Sequence, residues 1–498
     1  VNCFIGIDIG TTHTKSVVVT EHGDKVFELK EEYDILQPQP GYEEQDVSVI
    51  LSAVEKVMRE TFLQNKYSVK AVCFSAAMHS ILPVDQEGNP LYHAVIWADT
   101  RSKIETEYFA GLPQANHIVA NTGVPLHPML PLSKIVWFRN NRPDIFSQAA
   151  KFISIKEYVL FRLFGKYIVD QSVASATGLF NTHQKQWDEE ALYLAGISSD
   201  LLSVPMSPLH IEYDLAPRYK ELFQLKDQTA FVIGGSDGCL ANIGSGAVLH
   251  GETALTIGTS GAVRTTLHNP AVTNDQTLFT YILAGDIYIR GGAINNGGIV
   301  LKWLDELLYD EKDFDAASIL RAAETVEPGA GGLLFLPYLL GERAPVWDAR
   351  ARGALVGLTM HHKKEHIARA SIEGICFVLN QLIRSLEERS GIAIKDIFIS
   401  GGFIQSSFWV QLLADITGKR LHVTASADAS ALGAAFMGMF ATGHLNSFAE
   451  IKKYIHLVSL YKPEAKKLEA YKEISALFDT IYPKLKESFS ALSRLNKN

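Results

Sequence analysis

Two stretches of this 498-residue chain set glycine beside small hydroxyl-bearing residues at a bend between apolar runs: FIGIDIGTTHTKSVVV from Phe4 to Val19, and ETALTIGTSGAVRTTL from Glu252 to Leu267. Glycine lets a backbone come close to an anion, and Thr or Ser adds short donors to the backbone N–H groups. Each bend could therefore cradle a phosphate, and two of them facing each other would grip a polyphosphate. Gly10, Thr11 and Thr12 make the first bend; Gly258, Thr259 and Ser260 make the second, at an offset of 258 − 10 = 248 residues. Taken alone, each also reads as a surface turn. An acid precedes only the first: Asp8 stands where the second copy has Thr256, and Lys15 follows. Asp8 could hold a magnesium ion, directly or through water, while the Lys15 ammonium offsets phosphate charge. An ordinary strand-end aspartate is the alternative.

The elements that carry these bends follow from the flanking residues. Apolar runs on both sides of a Gly/Thr/Ser bend predict a β-hairpin, and its recurrence at about half the chain length predicts a duplicated domain. The expected domains are 1–247 and 248–498, with the boundary between Asp237 and Glu252. The glycines there, Gly238, Gly244, Gly246 and Gly251, suit tight packing and hinging. Strands are expected at Val69–Ser75 and Asp396–Ser400. A helix is expected over His366–Leu386, where Ile367, Ser371, Gly374, Val378, Leu382 and Leu386 keep helical spacing. Alternation of this kind indicates an α/β architecture. Near the C-terminus, Leu468, Tyr471, Ile474, Leu477, Phe478 and Ile481 mark an amphipathic helix before Pro483. It reads as packing, with a homodimer interface as the other use.

Composition narrows the function. With 47% hydrophobic residues the chain is globular rather than disordered, and a net charge of −9 from 55 acids against 46 bases removes the basic footprint that a nucleic-acid partner needs. No uninterrupted run of 18 apolar residues is present, and the chain opens directly on a strand pattern, which argues against a membrane or targeting segment. Cys3, Cys73, Cys239 and Cys376 are scattered without paired metal spacing, as expected of thiols in a reducing cytoplasm.

Two further stretches, MLPLSKIVWFRNN from Met129 and GALVGLTMHHKKEHIARASIE from Gly353, match in spacing and residue class the signatures of the FGGY carbohydrate kinases, which the chain resembles over essentially its whole length. The resemblance implies a two-domain duplicated ribonuclease H-like, actin-like ATPase fold with a central cleft, ATP and Mg2+ as cofactors, and a small-molecule sugar as acceptor. It also implies roles. Asp8 resembles the magnesium-associated acid, Gly10, Thr11, Thr12 and Lys15 the first phosphate turn, and Gly258, Thr259 and Ser260 the second. Gly298, beside Lys302, takes the place of a glycine near the nucleotide. SGGFIQSSFW from Ser400 resembles the adenosine loop, with Gly401, Gly402, Gln405 and Ser406 as contacts. Asp237, in GGSDG, resembles the catalytic aspartate, which would take the acceptor hydroxyl's proton as the γ-phosphate is transferred in line. Without the resemblance, an Asp between glycines reads as a turn residue.

The acceptor site is implied in the same way. Met78 and His79 resemble the methionine–histidine pair set against the sugar, and Trp97, Asp99 and Arg101 another wall; core packing, or a strand-end cap for His79, is the bland reading of these residues. The strings SIKEY from Ser154, IGTSGAVR from Ile257, INNGG from Ile294 and LLFLPYLLGERAPVWDARARG from Leu333 look most like the members that phosphorylate gluconate, with those acting on xylulose as the competitor. Gly238 departs from the amide that follows the base in many xylulose and glycerol kinases. A gluconate carboxylate would require a guanidinium, and Arg101, Arg264 and Arg343 are the candidates, helped by Asn295 and Asn296. Arg343 could instead pair with Glu342 or Asp348. A non-catalytic sugar and nucleotide sensor is the competing class, which retention of Asp237 opposes.

Overall fold

A computed structural model describes residues 1–64, 66–225, 228–269, 276–308, 315–425 and 428–495. The chain forms two compact units. The first comprises Val1–Leu249, Thr266–Ile289 and Asp428–Ile455; the second comprises His250–Thr265, Arg290–Ala427 and His456–Asn498. Sequence reading placed one boundary after residue 247. The first crossing lies at Leu249/His250, but two segments from the C-terminal half pack within the first unit.

The sheet of the first unit runs, edge to edge, Lys25–Glu32, His13–Thr20, Asn2–Ile9, Ser68–Ala76, Ala230–Ser236 and Ile211–Glu212. Asn2–Ile9 pairs antiparallel with His13–Thr20 and parallel with Ser68–Ala76. Its inward residues Ile5, Ile7 and Ile9 join Val72, Phe74 and Ile233 in one hydrophobic core against the helix Val47–Gln64. Glycine sets how closely the elements approach. A Cβ on Gly6 would lie 1.8 Å from the carbonyl oxygen of Ala431, one on Gly433 would lie 1.9 Å from that of Leu240, and one on Gly244 would lie 1.9 Å from that of Ala429. The helices Asp237–Gly244 and Ala429–Ala441 thus pack backbone to backbone. The glycine-rich stretch expected to pack tightly does so, as a helix up to Gly244.

In the second unit the strands follow the same order: Ile287–Ile294, Gly261–His268, Thr253–Ile257, Asp396–Ser400, Arg420–Thr424 and Leu457–Tyr461. Thr253–Ile257 is antiparallel to Gly261–His268 and parallel to Asp396–Ser400, as its counterpart Asn2–Ile9 is to its neighbours. The helix Lys364–Ser390 extends the expected one at both ends. The C-terminal pattern divides into helices Ala465–Asp479 and Ile481–Leu495, with Tyr471 and Phe478 buried and Leu477 exposed. Among the described residues no helix is long and apolar enough to cross a membrane.

Candidate active site

In the first unit, the bend between Ile9 and His13 is closed by Gly10 N–H donating to the His13 carbonyl at 2.9 Å. Neighbouring side chains hold it from outside. The Tyr33 hydroxyl donates to the Gly10 carbonyl (2.7 Å), Gln45 Nε2 to the Thr11 carbonyl (2.6 Å), and Trp97 Nε1 to Thr11 Oγ1 (3.0 Å). Thr12 Oγ1 lies 3.1 Å from His13 Nδ1. The backbone amides of the bend are thereby presented by a frame that does not depend on the ligand.

Asp8 ends the strand before this bend. Ser75, opposite it on the parallel neighbour, donates its hydroxyl to Asp8 Oδ1 at 2.6 Å. Burial and, after it, the Asp237 carboxylate push the Asp8 carboxyl up to about 7, against the opposing influence of Ser75 and Lys15. Two neighbouring carboxylates that resist ionising together suit a divalent cation. No group of three or more His, Cys, Asp or Glu residues that could hold a metal occurs among the described residues. A Mg2+ ion takes one or two carboxylates and completes its shell with water and phosphate, and Asp8 and Asp237 are the residues here that could hold one. The Lys15 ammonium is paired with Asp428, which also binds Lys25 at 2.7 Å.

Asp237 opens the helix Asp237–Gly244, and its Oδ1 accepts from Gly238 N–H at 2.6 Å. The strand that delivers it bulges between Val232 and Gly235. Gly234 there has φ of 69°, and a Cβ would lie 1.9 Å from the Phe74 carbonyl oxygen, so only glycine fits. Two polar ties fix the next residues. Buried Lys156 donates to the Gly235 carbonyl (3.0 Å) and to Asp170 (2.8 Å), and Ser236 N–H donates to Ser172 Oγ (3.1 Å).

The predicted acceptor residues separate. Met78 and Trp97 line one pocket with Gly10, Thr11, Gln45 and Ser80, so the phosphate bend and the expected sugar wall share a surface. The His79 ring points inward instead. At 7% exposure, its Nδ1 donates to the Ala176 carbonyl (2.7 Å), which leaves Nε2 to accept from the Tyr281 hydroxyl (3.4 Å). Arg101 also turns away from a ligand. Its fully buried guanidinium bonds Asp99 and Glu44, each at 2.7 Å, and lies 3.8 Å from the centre of the Tyr42 ring. Two carboxylates already neutralise it, so it holds the loop together and has no face for a substrate carboxylate.

In the second unit, Gly258 N–H donates to the Ser260 carbonyl (2.9 Å), closing the second bend. Thr256 takes the place of Asp8, and Ser400, opposite it as Ser75 is opposite Asp8, lies 3.0 Å away between hydroxyl oxygens. Gly298 N–H donates to the Gly258 carbonyl (2.7 Å), and a Cβ on Gly298 would lie 2.8 Å from that oxygen. The bend therefore sits against the start of the helix Ile299–Leu308. A cavity of about 600 Å³ opens beside it, lined by Gly258, Thr259, Gly298, Lys302, Gly402, Gln405 and Ser406 along with Phe403 and Phe408. Its size and apolar walls suit a nucleoside. Gly401 lies behind the lining with φ of 100°, where a Cβ would meet the Ile257 carbonyl oxygen at 2.4 Å.

Asn295 and Asn296 serve the protein. Asn296 is fully buried and bonds Gly341, Glu342 and the Leu340 amide; Asn295 Oδ1 accepts from Arg343 Nε at 2.7 Å. Arg343 is thus tied through its side chain to Asn295, and its charge also acts on the neighbouring Glu342 carboxyl. Glu342 takes the backbone amides of Asn295 and Arg343, and burial pushes its carboxyl up to about 7. Arg264 lies half-buried on the strand after the second bend. Sequence reading missed Lys134, Lys156 and Asp428. The first two were readable as lone cations within apolar helical runs, which must be satisfied if those runs are buried.

The chain matches the model for the N-terminal domain of the FGGY family of carbohydrate kinases over residues 3–244, and that for the C-terminal domain over 253–442. It is 38% identical to a gluconokinase of Bacillus subtilis, covering 98% of this chain and 97% of that one. A xylulose kinase of the same organism is 28% identical, with 99% of each chain covered. Among solved structures, gluconate kinase from Lactobacillus acidophilus superposes with a TM-score of 0.95 at 34% identity over 99% of both chains. Ligand-bound xylulose kinase from that organism gives 0.95 at 33% identity, covering 99% of this chain and 100% of that one.

Proposed function

Since the chain belongs to the FGGY family of carbohydrate kinases, we propose that it phosphorylates D-gluconate to 6-phospho-D-gluconate with ATP, using Asp237 as the general base. The observation that carries this reading is the hydrogen bond from Trp97 to Thr11, which ties the phosphate bend to the Met78–Trp97 wall in one pocket. The space they enclose is only about 10 Å³, so a phosphoryl acceptor would lie along this wall rather than inside it. The named relatives then point to gluconate.

In the reaction, the acceptor hydroxyl oxygen forms a bond to Pγ as the bond from Pγ to the bridging oxygen of ADP breaks, and the hydroxyl proton passes to the Asp237 carboxylate. The base contributes about 10²- to 10⁴-fold; orientation and electrostatic stabilisation supply the rest. The amides of Gly10–Thr12 and the Lys15 ammonium are assigned to the phosphates. The second bend and its cavity, with Gly298, Gly402, Gln405 and Ser406, are assigned to the nucleotide. Asp8, with Asp237 nearby, would hold Mg2+, which when bound neutralises phosphate charge. With Arg101 committed to Asp99 and Glu44, Arg264 and Arg343 remain as candidates for the gluconate carboxylate. A cytoplasmic setting agrees with four buried cysteines that form no disulfide.

A second reading, xylulose phosphorylation, is favoured by the equal TM-score of the xylulose kinase structure. A coupled ADP-release assay across D-gluconate, D-xylulose, glycerol and ribulose separates the two. Gluconate is expected to give the highest kcat/KM; a higher value for any neutral ketose overturns the substrate assignment. Absence of ADP release with every acceptor would favour a sensor.

A further inference from the structure

Lys134 lies in the helix Pro131–Asn141, whose first eight residues are all buried. Its ammonium is fully buried, and its hydrogen-bond partners are all main-chain carbonyls: His79 at 2.7 Å, Ile96 at 2.7 Å and Val95 at 3.5 Å. Burial pulls its pKa down to about 7; in the protonated form it has three N–H donors, which the three converging carbonyls can take up. The segments it joins are those that carry the acceptor wall. His79 directly follows Met78, and Ile96 directly precedes Trp97; Met78, Ile96 and Trp97 all line the pocket with the phosphate bend.

The backbone at His79 adds a second observation. Its φ is 66°, in the left-handed region that costs a side-chain-bearing residue energy and persists only where its surroundings enforce it. Lys134 meets this residue at its carbonyl, and Ala176 and Tyr281 meet it at its ring. The ring contacts position His79 itself. The Lys134 contact also reaches the Ile96 side of the pocket, close to where paired backbone bonds between Ile81 and Val95 (3.0 and 2.9 Å) already join the two segments, and it sets their spacing at the pocket itself.

We propose that Lys134 is a positioning residue for the sugar acceptor: by bridging the His79 and Ile96 carbonyls it fixes the spacing between Met78 and Trp97, and so the width of the acceptor pocket. This rests on the reading of Met78 and Trp97 as the acceptor wall. Without the ammonium, the His79 carbonyl loses this donor, the Ile96 carbonyl keeps only the weaker tie from Asp99 N–H (3.2 Å), the left-handed turn relaxes, and the wall opens. The phosphate bend keeps its own ties to Tyr33 and Gln45, so nucleotide affinity does not depend on Lys134.

The test compares wild type with Lys134→Met, Lys134→Ala and Trp97→Ala, measuring KM and kcat for D-gluconate and KM for ATP. Both Lys134 variants are expected to raise the gluconate KM on the order of 10- to 100-fold while the ATP KM changes less than about threefold. Added propylammonium is expected to restore the gluconate KM of Lys134→Ala, and 1-propanol, which fills the same space without a charge, is not. A parallel rise in both KM values would mean that Lys134 only stabilises the fold, and overturns the proposal. An unchanged gluconate KM in the Lys134 variants, with a raised one in Trp97→Ala, overturns it while leaving the acceptor wall in place. No change in any of the three removes the wall and the proposal together. If the variants do not fold, gluconate protection of the wild-type Lys134 region in amide exchange decides. Slowed exchange at Ser80–Ile81 and Trp97–Ala98 is expected, and exchange that gluconate does not alter overturns it.

Discussion

Lys156 donates to Asp170 at 2.8 Å with both side chains no more than 2% exposed, and the same ammonium reaches the carbonyl of Gly235, two residues before Asp237. Asp170 in turn caps the short helix Gln171–Ser175 by accepting from Val173 N–H. The pair therefore couples a buried charge balance to the placement of the base. Lys156→Met leaves the Asp170 carboxylate buried without its partner, a loss of about 3–5 kcal/mol. It should lower the melting temperature and reduce kcat more than either KM. Adding Asp170→Asn is expected to recover part of the stability, because the uncompensated charge is gone. A double variant less stable than Lys156→Met would refute this account of the pair.

Asp237→Asn keeps the shape of the helix start and can still accept from Gly238 N–H, but its amide cannot take a proton. Turnover should fall by about 10²- to 10⁴-fold with the ATP dissociation constant within a factor of about three of wild type. Equilibrium binding of a fluorescent nucleotide and single-turnover kinetics measure the two. Near wild-type turnover would remove Asp237 from the role of base.

Arg101 separates a structural role from a substrate role. Buried against Tyr42 and paired with Asp99 and Glu44, it should act through stability. Arg101→Met is expected to lower the melting temperature and to weaken gluconate and xylulose alike. Selective loss of gluconate would show that the guanidinium meets the carboxylate after all.

The bends, the strands Val69–Ser75 and Asp396–Ser400 and the helix after Lys363 were legible in the sequence because each is a local pattern, whereas the order of strands in each sheet was not. The Asp8/Thr256 difference was also visible as a pair of letters. Its meaning required the fold, which places Ser75 and Ser400 opposite them in the two copies. Arg101 was one of three candidates for a substrate carboxylate; Asp99, two residues before it, is a nearby partner, but Glu44, the second carboxylate that neutralises it, lies 57 residues earlier and could not be read as one. His79 was read as a substrate contact from its resemblance to the family's methionine–histidine pair, with a strand-end cap as the alternative; the left-handed turn that swings its ring inward has no sequence signature. Lys134 and Lys156 stood inside strings that were singled out, yet a lysine among apolar residues shows its purpose only when the carbonyls around it are known.

Asp428, at the start of the helix Ala429–Ala441, is a charge whose contribution has a definite pH dependence. Burial of its carboxyl opposes ionisation, but hydrogen bonds and charge from Lys15 and Lys25 prevail and hold it down to about 2, from 3.8. The folded pKa is depressed, so the unfolded chain binds the proton more readily between these values. The stabilisation is then complete above about pH 4 and is lost as pH falls toward 2. Allowing for the solvent that screens part of the carboxyl, a depression of this size corresponds to about 2 kcal/mol. At neutral pH, Asp428→Asn should forfeit this and melt about 3 °C below wild type, a figure suited to a unit of roughly 300 residues. The difference should shrink steadily between pH 4 and pH 2.5, measured by differential scanning fluorimetry at matched ionic strength. Because the lost charge also releases Lys15 from its partner, the ATP KM of the variant should move at pH 7. A melting difference that stays constant down to pH 2.5 would mean that Asp428 stabilises the fold through packing, and not through the two lysines.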